Sequence, residues 1–142
     1  MSVITDIAEA VKDALNGQDF SQAFTAERHY QPLFELKDMK TLHVTVVPRG
    51  VTVLSGARGK NQHDYGIDVA VQKKLDAGDN AEIDPLMTLV DELADFFRFK
   101  RLEGYPLAAW VKTENAPVYA REHLEQMRQF TSVLTLTFRV VR

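Results

Sequence analysis

The four histidines, His29, His43, His63 and His123, are the residues of this 142-residue sequence best suited to hold a metal or move a proton. Their spacing favours neither. No two stand at the HxH or HxxxH separation that puts imidazoles on one face of a strand or helix, and HExxH is absent. His63-Asp64 and Glu122-His123 are adjacent pairs, and neighbouring residues do not face each other in either element. A site would have to be assembled across the fold around His29, His43 or His63, which is the reading for a small ligand- or metal-binding domain. The chain has no cysteine, which excludes disulfides, thiolate metal sites and a cysteine nucleophile.

Other constellations fall short for stated reasons. Gly56-Ala57-Arg58-Gly59-Lys60-Asn61 suggests a phosphate loop, but two residues separate the glycines, Asn61 stands where Ser or Thr is needed, and a strand pattern follows. No GxSxG elbow is present; Ser55-Gly56 lies in a loop pattern without a strand-to-helix turn. Asp91, Glu92 and Asp95 fall on the polar side of an amphipathic helix, where solvated charge is expected. The expectation is therefore no catalytic residue, no metal and no cofactor. Arg98, Lys100 and Arg101 close a helix, where cations suit the dipole. Arg49, Arg58 and Lys60, with Asn61 and His63, have no such structural reason and mark the candidate partner-facing or channel-facing loop.

Periodicity gives the elements that must position these residues. Ile4, Ile7, Ala8, Val11, Ala14 and Leu15 recur at helical spacing, with Ser2 or Thr5 to cap the start and Asn16-Gly17 to end it. Ala23–Tyr30 reads as an edge strand and Gln31–Lys40 as a connection. Leu42–Val47 is a strand; Pro48-Arg49-Gly50 then leads into Val51–Leu54, either as a hairpin or as one strand broken by a bulge. Ser55–Asp64 is the most loop-like stretch, Tyr65–Gln72 alternates as a strand, and Lys73–Ala81 is a polar loop.

Asp84-Pro85 reads as a helix start, with the apolar stripe Leu86, Leu89, Val90, Leu93, Ala94 and Phe97 behind it and an end near Arg98–Leu102, where Gly104 stops it. Leu107–Lys112 can form a strand, and Pro117–Gln129 is either a short helical turn or an irregular excursion. Phe130–Val141 alternates over its whole length, with Phe130, Ser132, Leu134, Leu136, Phe138 and Val140 on one face.

The order of helix, strands, helix and strands departs from βαβ alternation. It predicts an α+β fold: an antiparallel or mixed sheet of four to five strands with two α-helices packed on one face, in a single domain over residues 1–142. That length is enough to bury roughly 68–70% of the unfolded chain's surface without staples. The formal net charge of −3 gives no overall basic footprint for nucleic acid. No stretch approaches the roughly 18 apolar residues of a membrane span, and Met1–Asp6 lacks a signal-peptide pattern, so a soluble, cytosolic protein is expected.

Taken in order, several stretches resemble the tail terminator and tail-completion (neck) proteins of long-tailed bacteriophages and prophages. They are the N-terminal amphipathic helix, Phe24-Thr25-Ala26-Glu27-Arg28, Leu42-His43-Val44-Thr45-Val46-Val47-Pro48, Tyr65-Gly66-Ile67-Asp68-Val69-Ala70-Val71, Leu89-Val90-Asp91-Glu92-Leu93, and Phe130-Thr131-Ser132-Val133-Leu134-Thr135-Leu136-Thr137-Phe138. The resemblance spans nearly the whole chain and rests on strand and helix patterns, so it transfers surfaces and no individual functional residue. It implies a non-enzymatic virion assembly subunit that forms a homo-oligomeric, commonly hexameric ring, caps the tail tube and joins it to the head. The implied partners are the tail tube protein and head–tail connector proteins, with DNA only as passing cargo and no membrane. The implied location is the host cytoplasm during assembly and then the virion tail or neck. Head-side neck proteins, stoppers and head-completion proteins, share the pattern and stand as the alternative. In such a ring, edge strands pair between neighbours and the 55–64 loop projects towards a partner or the channel.

Overall fold

A computed structural model describes residues 2–31 and 41–142. The connection expected over Gln31–Lys40 lies, apart from Gln31, outside the described residues. The elements in chain order are α1 (Val3–Asn16), β1 (Ala26–Arg28), β2 (His43–Ser55), β3 (Asn61–Lys74), α2 (Asn80–Phe97), β4 (Ala109–Glu114), α3 (Arg121–Met127) and β5 (Gln129–Val141). The strands form one mixed five-stranded sheet in the order β1-β2-β3-β5-β4. β1 runs parallel to β2, and the other pairings are antiparallel. The α+β class and the mixed sheet expected from the sequence are what the chain adopts.

Helix α1 starts where the Ser2 side chain accepts a hydrogen bond from the Thr5 backbone N–H, and it ends at Gly17. Its stripe of Ile7, Ala8, Val11 and Leu15 is buried on the sheet. Asn16 then ties the helix end to β1: its amide donates to the Ala26 carbonyl at 3.0 Å and its carbonyl accepts from the Ala26 N–H at 2.7 Å. The second stripe, Leu86, Leu89, Val90, Leu93 and Phe97 of α2, covers the same face over β5 and β4. Against both helices stand Val44 and Val46 of β2, Tyr65, Ile67, Val69 and Val71 of β3, and Leu134, Leu136, Phe138 and Val140 of β5, all in one buried cluster. Each large side chain so buried contributes about 1.5–3 kcal/mol relative to exposure.

Three expectations change. Residues 55–64 are half strand: β2 runs to Ser55, β3 starts at Asn61, and residues 56–60 turn, closed by the Lys60 N–H donating to the Ala57 carbonyl. Backbone pairing across the hairpin overrides the polar composition that reads as a loop. Helix α2 begins at Asn80, with Asp79 as its cap, so Pro85 sits inside it and Asp84 is not the cap. The signal is the Asp79-x-x-Glu82 capping box: Asp79 accepts from the Glu82 N–H, while the Glu82 carboxylate accepts from the N–H groups of Asp76, Ala77 and Gly78 at 2.8–2.9 Å.

The same helix stops at Phe97, so Arg98, Lys100 and Arg101 lie beyond its last turn, and Phe99 takes a left-handed backbone conformation (φ 59°). Gly104 does not stop the helix. It permits close approach to α1, since a Cβ there would lie 3.0 Å from the Ala10 Cβ. Of the two alternatives for Pro117–Gln129 the helical one forms: α3 packs Leu124 against the core, and His123 hydrogen-bonds the Thr131 hydroxyl at 2.8 Å.

Candidate functional site

Strand alternation leaves β3 and β5 with a second, polar set of side chains on the face away from α1 and α2. Asp64 and Asp68 of β3 stand beside Arg139 and Thr135 of β5, and Lys112 and Glu114 of β4 lie opposite Thr137 and Thr135. Asp64, Lys112, Glu114, Thr135 and Thr137, together with Arg49 of β2, line an open concavity of about 650 Å³, walled at one end by Pro117 and Ala120 ahead of α3. The alternative between hairpin and bulge at Pro48-Arg49-Gly50 resolves as a bulge: Pro48 pairs with Ile67 and Gly50 with Gly66, leaving Arg49 as the extra residue.

The charges on this face are matched within the chain. Arg139 donates to both oxygens of Asp64, at 2.9 and 3.3 Å, and these bonds hold the Asp64 carboxyl below its ordinary range despite partial burial. The Thr135 hydroxyl donates to Asp68 at 2.7 Å, and Arg49 reaches the same carboxylate at a long 3.4 Å. Lys112 meets Glu114 at 2.7 Å and lowers its pKa through that bond and its charge, with a smaller lowering from Arg49. Ionised carboxylates already engaged by cations accept hydrogen bonds; they are poorly placed to donate a proton near neutrality.

The residues singled out from the sequence do not converge. Arg58 and Lys60 are exposed in the 56–60 turn, whereas Arg49 stands six residues down β2 from Ser55, about 20 Å away at strand rise. Asn61 opens β3 and exchanges backbone hydrogen bonds with Arg142 at 2.8 and 2.9 Å. His63 lies on the helix-bearing side, stacked on Tyr65. His29 meets Glu27, and His43 lies near the Thr41 hydroxyl, with the length of the β2–β3 hairpin separating it from His63. Among the described residues, no group of three or more His, Asp or Glu side chains is placed to hold a metal. Glu92, read as solvated charge, accepts from the Ser21 N–H at 2.7 Å.

What sequence reading missed is the edge structure of the sheet. At the end that carries the 56–60 turn, the sheet is four strands wide, β2-β3-β5-β4. Among the described residues, the outer side of β2 is paired only near Val44–Val46, by β1 and the His29 N–H. Among the same residues, the outer side of β4 carries only the single bridge between Arg101 and Ala109.

One row across this end reads Val51–Tyr65–Phe138–Trp110, by successive pairings. Its two inner members are buried; Val51 is 52% exposed and Trp110 half-buried. Phe99, 83% exposed, lies edge-on to the Trp110 ring at 5.1 Å. Val53, Leu54 and Leu107 add further exposed apolar surface at the two edges. The signal was available in the run Val51–Leu54, whose apolar alternation continues past the part of β2 that any helix can cover.

No protein-family model matches this chain, and no curated protein matches it. No helix among the described residues is long and apolar enough to cross a membrane.

Proposed function

We propose that this chain is a structural, non-enzymatic subunit of a phage or prophage virion, resembling tail terminators, that joins copies of itself into a ring capping the tail tube at its junction with the head. The observation that carries the reading is the four-strand-wide end of the sheet, where, among the described residues, no strand pairs with the outer side of β2 or, beyond the single Arg101–Ala109 bridge, of β4. From β2 to β4 the strand directions alternate at every step, so a second copy placed beside the first in the same orientation sets its β4 antiparallel to this β2. That junction is heterologous: it uses different surfaces on the two copies, and with a consistent rotation it closes into a ring. The helices then lie on one side of the continued sheet and the concave polar face on the other.

On this reading the polar face lines the channel. Its cations are engaged by Asp64, Asp68 and Glu114, so few are left to bind phosphates tightly, as suits DNA that passes through. The exposed Arg58 and Lys60 at the turn tip are the contacts proposed for the tail tube.

Native mass measurement of the concentrated protein, alone and with purified tail tubes, tests the reading. Rings alone or on tube ends are the expected outcome. A chain that stays monomeric at all concentrations and ignores tubes would overturn it, and binding to head connectors in place of tubes would move it to the head-side neck.

A further inference from the structure

The two edges differ in a way that selects how copies meet. Each is blunted for backbone pairing: β2 by Pro48, which lacks an N–H, and by the Arg49 bulge, and β4 by a bulge at Val111 and by the Arg101 bridge. A junction built on an uninterrupted ladder is therefore disfavoured, and side chains must carry most of it.

They are arranged to do so. Continuing the Val51–Tyr65–Phe138–Trp110 row into a neighbour sets Trp110 of one copy against Val51 of the next, both on the helix-bearing face, with Phe99 extending over Val53. On the open face, Glu114 stands at the outer edge of β4 opposite Thr135, and Arg49, the bulge residue of β2, stands at the other edge, just beyond the part of β2 that β1 and His29 cover. The Arg49–Asp68 pair is long, at 3.4 Å, and the Arg49 side chain is 61% exposed, so the guanidinium can exchange this carboxylate for one on a neighbour.

We infer that a second copy of this chain docks through a two-sided contact, with the Phe99–Trp110 pair covering Val51 and Val53 on one face and Glu114 meeting Arg49 on the other. The inference rests on the ring reading above and assigns its interface. The occupant is a second copy because Val51 and Trp110 end one row of this chain and the opposite charges of Arg49 and Glu114 stand at its two edges. An aromatic anchor beside desolvated apolar surface, rimmed by one charge pair, is the usual composition of a binding hot spot.

The absence of native cysteine permits a direct test. Gly50 and Lys112 end one row, Gly50–Gly66–Thr137–Lys112, and a Cβ at Gly50 meets nothing within 4 Å. Within one chain the two positions are three strand spacings apart, about 14 Å, too far for a disulfide; across the junction they are one spacing apart, about 4.8 Å. The Gly50→Cys, Lys112→Cys double variant, concentrated and mildly oxidised, is expected to give a covalent ladder ending at a closed ring, while either single variant alone gives none. Arg49→Glu is expected to weaken association at least tenfold, and adding Glu114→Arg in the same chain is expected to restore it.

Rings by native mass without the mixed cross-link, or dimers linked through Gly50→Cys alone, would overturn this interface and leave the ring reading standing. Rescue failing while Arg49→Glu weakens assembly would remove the charge contact and with it the two-sided docking. Monomers at every concentration, with or without tubes, would overturn both.

Discussion

The two halves of β2 share a sequence pattern and differ in almost everything else. Val44 and Val46 alternate as Val51 and Val53 do, yet the first pair is at most 2% exposed and the second 52%. The lower half has β1 beside it and α1 above it; the upper half extends beyond both. Alternation specifies which face a residue occupies, and coverage by another element decides whether that face is dry. A half-exposed valine pair at a strand edge is surface set aside for something outside the chain, or a liability that assembly removes.

The sharpest way to break this contrast is within one row. Phe138 and Val51 share the Val51–Tyr65–Phe138–Trp110 line, one at its centre and one at its end. Phe138→Ala is expected to cost about 3–5 kcal/mol, through lost transfer energy and the cavity left behind. Val51→Ala is expected to stay within about 0.5 kcal/mol in the monomer, as exposed substitutions do. Urea unfolding of both variants measures the difference. A cost above about 2 kcal/mol for Val51→Ala would mean that this end of the sheet is already enclosed in the single chain.

Most of the fold was legible, and the failures share a cause. Both long helices, the alternation of β3 and β5, and the α+β class follow from local periods that need no knowledge of neighbours. Asp84-Pro85 was misread because a proline one turn into a helix looks like its first residue; the capping box of Asp79 and Glu82 was the stronger signal. Residues Asn61–Asp64 read as loop because they are polar themselves, and the pairing that makes them strand comes from β2 and β5 and not from their own segment. The candidate site was less legible still. Arg49 was flagged, but Asp64, Asp68, Lys112, Glu114 and Arg139 become a set only through three strand pairings, and no local pattern announces them.

The connections at the two ends of the sheet sharpen the same contrast at a smaller scale. The 75–79 segment is held by the Glu82 carboxylate, whereas a single backbone bond between Lys60 and Ala57 closes the 56–60 turn. Asp79→Ala is expected to cost about 1 kcal/mol and Asp84→Ala close to nothing, since only the first caps α2. Bonds from Asp76, Gly78 and Ala77 hold the Glu82 pKa below its ordinary value of 4.5 in the folded state. Its stabilisation is therefore fully present above that value and is lost as pH falls through the lowered folded pKa. The stability gap between the wild-type chain and Glu82→Ala should be constant from pH 7 to about 5.5 and shrink at lower pH. A gap that widened on acidification would show that the carboxylate is not the group holding the segment.

Arg49→Ala carries the smallest expected effect on the monomer and tests the contrast most narrowly. The Arg49–Asp68 pair is long, and its guanidinium is largely in solvent; such pairs contribute about 0–1 kcal/mol and fade with salt. Asp68 would keep the Thr135 hydroxyl, so removing Arg49 leaves no buried charge alone. The expected change is under about 0.5 kcal/mol and should vanish in 1 M salt, where the Debye length is about 3 Å. Val47, two residues away on the same strand, is buried, and Val47→Ala should cost more and be indifferent to salt. Equal costs for the two variants would place Arg49 within the packed part of β2, and the division of that strand into a closed and an open half would have to be redrawn.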